Sequence, residues 1–234
     1  MSPPLDLARI RGLCFDLDGT LVETDDAVAA RLADFLRSIR ILLPLRDPAA
    51  AARKAVMAAE SPANAVLAAI DRLGLDEVLA PVLDRLHRAR GLESASAFQP
   101  VPGALEALAG LAPRFPMALI TSRESRSAEA FLDSFDLRRV FRCVASARTT
   151  RRGKPDPEPV RWAAACLGLA PPMCLMVGDT TVDVRAGRAA GAQTAAVLSG
   201  FGERRELERA GADVVLESVG DLAGLLMDQE KGSE

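Results

Sequence analysis

Residues 12–23 read GLCFDLDGTLVE, an apolar run that meets two aspartates, Asp16 and Asp18, and then Gly19. A short apolar run that ends in turn residues is typical of a buried strand. In a parallel sheet, ligands bind at the carboxyl ends of the strands, which is where this run places the two aspartates. Because side chains along a strand alternate, Asp16 and Asp18 are expected on the same side of the chain. Gly19 permits a sharp turn or a close approach to a ligand.

Five further apolar runs show the same pattern. The six predicted strands cover residues 12–15, 117–120, 141–145, 173–177, 194–198 and 214–216. Helical patterns lie between most of them and after the last, at residues 102–111, 125–135, 157–167, 182–190 and 222–226. Strands that alternate with helices predict an α/β fold, a doubly wound parallel sheet with helices on both faces.

The interval 23–92 breaks this alternation, because it has no strand pattern and is rich in Ala, Leu and Arg at helical spacing. We predict a small α-helical cap domain there, and a core domain built from residues 1–22 and 93–234. The segment 93–102, ESASAFQPVP, is the expected linker back to the core. A helical domain without functional motion is the alternative to a hinged cap.

The composition favours a compact globular protein with a small-molecule partner. The 234 residues are 49% hydrophobic, with a net charge of −3 and no basic stripe of the kind that nucleic acid or an acidic membrane would need. The first residues lack a signal-peptide pattern, and no run approaches ~18 apolar residues, so we expect a cytoplasmic protein. The sequence leaves open whether it is a monomer or a homodimer.

The chain has one histidine, His87, far in sequence from any candidate nucleophile. Hydrolases that use Ser-His-Asp or Cys-His chemistry need an imidazole beside the nucleophile, so neither is expected. The four cysteines show no C-x-x-C spacing and stand in apolar segments, which argues against structural zinc and a disulfide framework. The chemistry is therefore expected to rest mainly on carboxylates, hydroxyls and lysine.

Two segments offer groups that could bind a phosphate. Thr121 and Ser122 follow an apolar run, and a hydroxyl there can donate to a phosphate oxygen, although such residues are usually structural. Lys154 is one of only three lysines among 29 basic residues. A lysine in a chain that otherwise uses arginine suggests a need for a compact ammonium group, with chance as the alternative.

The segment VGDTTVD, residues 177–183, places Asp179 and Asp183 four residues apart, on one side of a starting helical turn. Carboxylates from two strand ends suit a hard cation such as Mg²⁺. A helix cap by Asp179 is the structural alternative for this segment. For DLDG, residues 16–19, the alternative is a turn capped by two aspartates; a calcium loop does not fit, because Gly19 comes too early.

Taken in order, DLDGT, TSR, the lysine before a proline and GDTTVD resemble the four motifs of the haloacid dehalogenase-like (HAD) superfamily, over about residues 11–200. The resemblance implies a Rossmann-like core and an enzyme in which Asp16 attacks phosphorus to form an aspartyl-phosphate. It implies that Asp18 is the general acid and then the base, and that Mg²⁺ is held by Asp16, Asp179 and the Asp18 main-chain carbonyl.

The same resemblance implies that Thr121, Ser122, Gly19 and Lys154 bind the phosphoryl group, with Asp183 orienting Lys154 or the metal shell. Many relatives carry asparagine after the hydroxyl residue, whereas this chain has Ser122 followed by Arg123. That departure leaves the phosphate-binding hydroxyl in place.

The helical insertion and VGDTTVDVRAGRAAG resemble phosphoglycolate-phosphatase-like members of the superfamily. The expected function is Mg²⁺-dependent hydrolysis of a small phosphate monoester, that is, a phosphoric monoester hydrolase. A β-phosphoglucomutase-like phosphomutase and a non-catalytic binding module are the alternatives, and a phosphonate-cleaving enzyme is disfavoured by Asp18. Within the predicted cap, Arg53, Lys54 and His87 are the candidates for substrate contact.

Overall fold

The computed structural model describes residues 5–23 and 98–227. By its contacts the chain divides into two units, Met1–Thr24 with Gln99–Glu234, and Asp25–Phe98. The predicted cap helices lie outside the described residues, as do the cap candidates Arg53, Lys54 and His87. They stay predictions.

The described strands form one six-stranded parallel sheet in the order β3-β2-β1-β4-β5-β6. They are β1 (Gly12–Phe15), β2 (Met117–Ile120), β3 (Phe141–Ala145), β4 (Cys174–Gly178), β5 (Gln193–Val197) and β6 (Val214–Leu216). All six predicted strands are confirmed, with β4 and β5 displaced by one residue. The strand order reverses between β1 and β4, and ligands bind at such a reversal in open α/β sheets.

Six α-helices are described: α1 (Ala104–Leu111), α2 (Ser125–Ser134), α3 (Glu158–Cys166), α4 (Thr181–Ala190), α5 (Arg204–Ala210) and α6 (Val219–Met227). Short 3₁₀ turns lie at Leu7–Arg9 and Pro171–Met173. Five of the helices were predicted, but α5 was not. Its sequence RRELERA buries only Leu207, so it lacks the repeated apolar positions that indicate a helix in sequence.

Both faces of the sheet are buried. Cys14, Ala118 and Met176 point to the face covered by α3 and α4, where small alanines allow close packing. Leu13 and Leu175, which alternate with them, are fully buried on the other face. The near-continuous apolar strands of the sequence follow from this double coverage.

The segments that leave and re-enter the core pair with each other. After β1 the chain turns at Gly19, whose φ of +76° suits glycine and whose N–H donates to the Val22 carbonyl at 2.7 Å. The Val101 N–H donates to the Leu21 carbonyl at 3.0 Å, and Val22 and Pro100 form an antiparallel bridge. The two crossings therefore lie side by side, as expected where a segment is inserted.

All four cysteines are free thiols. Cys14 and Cys174 are buried, whereas Cys166, the last residue of α3, is exposed although it stands in an apolar segment of the sequence. Within the described ranges, no helix has both the length and the apolar character needed to cross a membrane.

Candidate active site

The carboxyl ends of three neighbouring strands supply the first residues of the site. Asp16 follows β1, and its N–H donates to the Val177 carbonyl at 2.9 Å. Thr121 follows β2 and Asp179 follows β4, and all three residues are buried. The carboxyl ends of parallel strands lie at the same edge of the sheet, so residues more than 100 positions apart in sequence meet in a single site.

Lys154, on the loop before α3, connects two of the carboxylates. Its Nζ lies 2.5 Å from Asp16 Oδ1 and 2.7 Å from Asp183 Oδ1, and 3.4 Å from the Ile120 carbonyl oxygen. The Lys154 and Asp16 side chains are only 8% and 9% exposed, so this is a buried ion-paired cluster. Removing one partner of such a cluster costs about 3–5 kcal/mol, because a buried charge is left unpaired.

The electrostatics of the cluster are those of crowded carboxylates. Burial raises the pKa of Asp16 to about 7; Lys154 opposes the rise, while Asp183 and Asp18 add to it. Burial alone would lower the pKa of Lys154, but Asp16 and Asp183 outweigh it and hold that pKa above its ordinary value. Lys154 is therefore a fixed ammonium group, and its charge does not fully compensate the acids around it.

Asp179 has one oxygen held and one unpaired. Its Oδ2 accepts a hydrogen bond of 2.8 Å from the Phe201 N–H, whereas Oδ1, although buried, has no partner among the described residues. Burial raises the pKa of Asp179 well above its ordinary value, and Asp183 and Asp16 contribute. Ligand oxygens of Asp16, Asp179 and Asp183 lie within 4.8 Å of one another, so this cluster could hold a metal ion.

A glycine-containing loop packs tightly against Asp179. A Cβ added at Gly200 would lie 2.0 Å from Asp179 Oδ2, and one at Gly202 would lie 2.1 Å from its main-chain oxygen. Glycine is therefore required at both positions by the close approach of this loop, which also brings the Phe201 N–H to Asp179.

Asp183 has two roles, one on each oxygen. Its Oδ2 accepts hydrogen bonds from the Thr180 N–H and hydroxyl, and the Thr180 hydroxyl in turn accepts from the Asp183 N–H, which forms a capping box on α4. The structural alternative for Asp179 is thus wrong, because the N-cap is Thr180. The same carboxylate fixes Lys154 through Oδ1, so the helix start positions the ammonium group.

Asp18 lies in a more open environment and pairs with Arg123. Arg123 Nε lies 3.0 and 2.9 Å from the two carboxylate oxygens, and Nη2 lies 2.6 Å from Oδ1. Arg123 Nη1 also donates to the Ser127 hydroxyl at 3.2 Å. A bidentate guanidinium contact of this kind fixes the carboxylate in one orientation.

The predicted phosphate-binding residues other than Lys154 lie on two loops, one after β1 and one after β2. The Thr121 hydroxyl accepts a hydrogen bond from the Arg123 N–H at 3.1 Å, which leaves its own hydrogen to donate. Ser122 is half-buried beside it. The Gly19 carbonyl accepts from the Ser199 hydroxyl at 2.7 Å, and the neighbouring Thr20 hydroxyl is buried without a partner among the described residues.

A family model described as haloacid dehalogenase-like hydrolase matches residues 13–197. The chain belongs to this family. This HAD-like hydrolase is 27% identical over 237 residues to the phosphoglycolate phosphatase of Escherichia coli strain K12, with 91% of each chain covered.

Solved structures resemble this HAD-like hydrolase over nearly its whole length. A hydrolase from Pseudomonas syringae is 26% identical, with a TM-score of 0.69 over 92% of this chain and 97% of its own. A HAD family hydrolase from Deinococcus radiodurans R1, solved with bound phosphate and sodium, is also 26% identical, with a TM-score of 0.67 over 94% and 99% of the two chains.

Four residues of the site in this hydrolase were not assigned a role from sequence: Arg123, Thr180, Ser199 and Phe201. Thr180 carries a readable signal, because a threonine three residues before an acidic residue is a capping-box pattern. The SGFG stretch at 199–202 also follows an apolar run, as the other motifs do. The Arg123 contact with Asp18 joins residues 105 positions apart, and no local pattern predicts it.

Proposed function

We propose that this protein is a Mg²⁺-dependent phosphatase that hydrolyses a small phosphate monoester through an aspartyl-phosphate on Asp16. The observation that carries the proposal is the buried cluster in which the Lys154 ammonium lies 2.5 Å from the Asp16 carboxylate. The same cluster contains Asp179, one of whose carboxylate oxygens has no hydrogen-bond partner among the described residues. A carboxylate nucleophile needs no base to activate it. The similarity to a phosphoglycolate phosphatase over 91% of the chain supports the substrate class.

The residues present fit a magnesium ion. The candidate ligands are hard oxygens, one of them the buried Asp179 Oδ1 that lacks a partner among the described residues. Four carboxylates, Asp16, Asp18, Asp179 and Asp183, are faced by the cations of Lys154 and Arg123. With all groups ionised, these six side chains hold an excess of two negative charges, which a divalent cation would neutralise.

Asp16, Asp179 and the main-chain carbonyl of Asp18 would hold the ion. When bound, Mg²⁺ supplies positive charge to a phosphoryl oxygen and offsets the repulsion between substrate and carboxylates.

Lys154 would act on the phosphoryl group as a fixed donor. Its ammonium lies against Asp16, so it is placed to contact an oxygen of a phosphoryl group that Asp16 attacks. The Thr121 hydroxyl approaches from the end of the neighbouring strand. Ser122 offers a further donor, as does the Thr20 hydroxyl of the Gly19 turn, which has no partner among the described residues. Donors fixed before the reaction stabilise the charge spread over phosphoryl oxygens without reorganisation.

The proposed reaction has two displacements at phosphorus. An Asp16 oxygen forms a bond to phosphorus while the ester oxygen leaves and takes a proton from the carboxyl group of Asp18. A water molecule then gives its proton to the Asp18 carboxylate and attacks phosphorus, which breaks the bond to Asp16 and releases inorganic phosphate. Asp18 thus returns to its protonated form at the end of the cycle.

The direct test is release of inorganic phosphate from p-nitrophenyl phosphate by purified protein with Mg²⁺, with EDTA, and after Mg²⁺ is restored. We expect activity that EDTA abolishes and Mg²⁺ recovers. Full activity in excess EDTA would refute the metal role, and no release with any phosphate monoester would favour a non-catalytic binding module. Activation by a sugar bisphosphate with little net phosphate release would instead indicate a phosphomutase.

A further inference from the structure

Arg123 has no role assigned from sequence, yet it contacts Asp18, a residue of the proposed chemistry. Its guanidinium contacts both oxygens of Asp18 at 2.6 to 3.0 Å, and about a third of each side chain is exposed. Its main-chain N–H donates to the Thr121 hydroxyl, so the residue is anchored in the loop that would bind phosphate. The side chain therefore borders the site on its accessible side.

The position of Arg123 relative to the leaving group follows from that of Asp18. To protonate the ester oxygen, Asp18 must lie within one hydrogen-bond length of it. Arg123 lies within one hydrogen-bond length of Asp18, so its guanidinium falls within two such lengths of the leaving oxygen. Atoms one or two bonds beyond that oxygen, which belong to the alcohol part of the substrate, can then reach Arg123.

We infer that Arg123 determines specificity by binding a second anionic group of the substrate, a carboxylate close to the ester oxygen. This inference rests on the proposed function and deepens it by naming the substrate class, carboxylated phosphate monoesters. The guanidinium fork matches the planar geometry of a carboxylate, and its contact with Asp18 shows that it presents this fork towards the site. A substrate carboxylate shares or replaces that contact.

Charge supports the assignment to Arg123 rather than to Lys154. Lys154 is buried between Asp16 and Asp183 and lies on the side of the attacking oxygen. A substrate carboxylate on the leaving-group side needs a cation there, and Arg123 is the cation that contacts Asp18. Arg123 can serve only substrates whose anionic group reaches it.

The experiment compares two esters that differ in the inferred contact, 2-phosphoglycolate and 2-hydroxyethyl phosphate. The measured quantity is the ratio of kcat/KM for the first to kcat/KM for the second. Wild-type protein is expected to prefer the carboxylate by about 10- to 100-fold, the effect of one charged hydrogen-bonded contact. Arg123→Ala is expected to reduce this ratio by a similar factor, mainly by raising KM for 2-phosphoglycolate. The ratio for Arg123→Lys should lie between those of the wild type and Arg123→Ala.

Arg126→Ala is the matched control, because it removes an exposed arginine from α2, three residues further along the chain. It should keep the wild-type ratio. Melting temperatures of all variants identify any loss through unfolding, and Arg123→Gln provides a second uncharged variant.

The outcomes separate this inference from the proposed function. If wild-type protein hydrolyses p-nitrophenyl phosphate but shows no preference between the two esters, the specificity role of Arg123 is overturned and the phosphatase stands. Equal losses on both esters in Arg123→Ala would also overturn it, and would leave Arg123 as a positioning residue for Asp18. If wild-type protein hydrolyses none of the three, the proposed function itself fails.

Discussion

The site has a buried half and an exposed half, and the two are built differently. In the buried half, Lys154 is held between Asp16 and Asp183, with side chains only 2–9% exposed. In the exposed half, Asp18 and Arg123 form a bidentate pair with side chains 32% and 36% exposed. The first set lies where phosphorus would react, and the second where the alcohol would leave.

This difference assigns rigidity to one half and adaptability to the other. Buried charges lose their hydration, so each must keep its partner, and any change there leaves an unpaired charge. A pair near the surface contributes little net stability and can exchange partners at small cost. The buried half would therefore suit the step common to all phosphate esters, and the exposed half would suit discrimination between alcohols.

The largest expected effect comes from Asp16→Asn. The amide keeps the size of the side chain and can still accept a hydrogen bond from Lys154, but it removes the attacking oxygen. We expect kcat to fall by roughly 10⁴-fold or more, as for other nucleophile substitutions, with the fold retained. Steady-state kinetics and circular dichroism check this, and a variant that keeps a tenth of wild-type kcat would contradict the nucleophile assignment.

A smaller loss is expected for Asp18→Asn in the exposed half, by the ~10²–10⁴-fold typical of a general acid and base. The loss should depend on the alcohol. An alkyl phosphate needs a proton for its leaving group, whereas p-nitrophenolate leaves without one. Rapid mixing with p-nitrophenyl phosphate should therefore show a burst of p-nitrophenol followed by slow turnover. A kcat within threefold of wild type on an alkyl phosphate would remove Asp18 from this role.

A third change tests how the buried half is supported. Gly200→Ala would place a Cβ 2.0 Å from Asp179 Oδ2, so the carboxylate or the loop must move. We expect the Mg²⁺ concentration for half-maximal activity to rise by about 10–100-fold, as is usual when the support of a metal ligand is disturbed. Gly224→Ala is the matched control, because a Cβ there meets nothing within 4 Å. Identical Mg²⁺ dependence in the two variants would show that Gly200 does not support the site.

The sequence predicts the buried half better than the exposed half, for a physical reason. Asp16, Thr121 and Asp179 each follow an apolar run, and parallel topology brings all strand ends to one edge. Lys154 stands out by composition alone. The strands and most helices are predicted because burial requires apolar runs in the strands and apolar residues at helical spacing in the helices.

The features that sequence does not predict depend on tertiary distance or on weak local signals. The Asp18–Arg123 pair depends on how two loops meet. In the sequence, Arg123 is noticeable only because the second motif departs from its usual form there. Asp183 was expected to orient Lys154 or the metal shell, but its helix-capping role depends on which oxygen faces which partner. Helix α5 exposes most of its surface, so it carries almost no apolar pattern.

The smallest expected effect concerns stability and pH. Burial raises the pKa of Asp16 to about 7, above the ~3.9 of an unfolded aspartate, and raises that of Asp179 as well. Between these values the folded protein holds protons that the unfolded chain has released. Metal-free protein therefore loses stability from these groups as pH rises from about 4 to 7, and the loss is complete at higher pH.

Magnesium should reverse this loss, because it binds the ionised carboxylates and competes with protons. We expect Mg²⁺ to raise the melting temperature by about 2–4 °C more at pH 8 than at pH 6, which corresponds to roughly 1 kcal/mol in a chain of this size. Thermal scans with Mg²⁺ and with EDTA at both pH values measure the difference. In Asp179→Asn the difference should shrink, because a metal ligand is lost and Mg²⁺ binds less tightly at both pH values.

Asp136→Asn makes the same chemical change at an exposed residue whose φ of +53° asparagine tolerates, and it should keep the full difference. An equal Mg²⁺ response at the two pH values in wild-type protein would mean that the carboxylates of the buried half do not take up protons when the metal is removed, and the contrast between the two halves would lose its electrostatic basis.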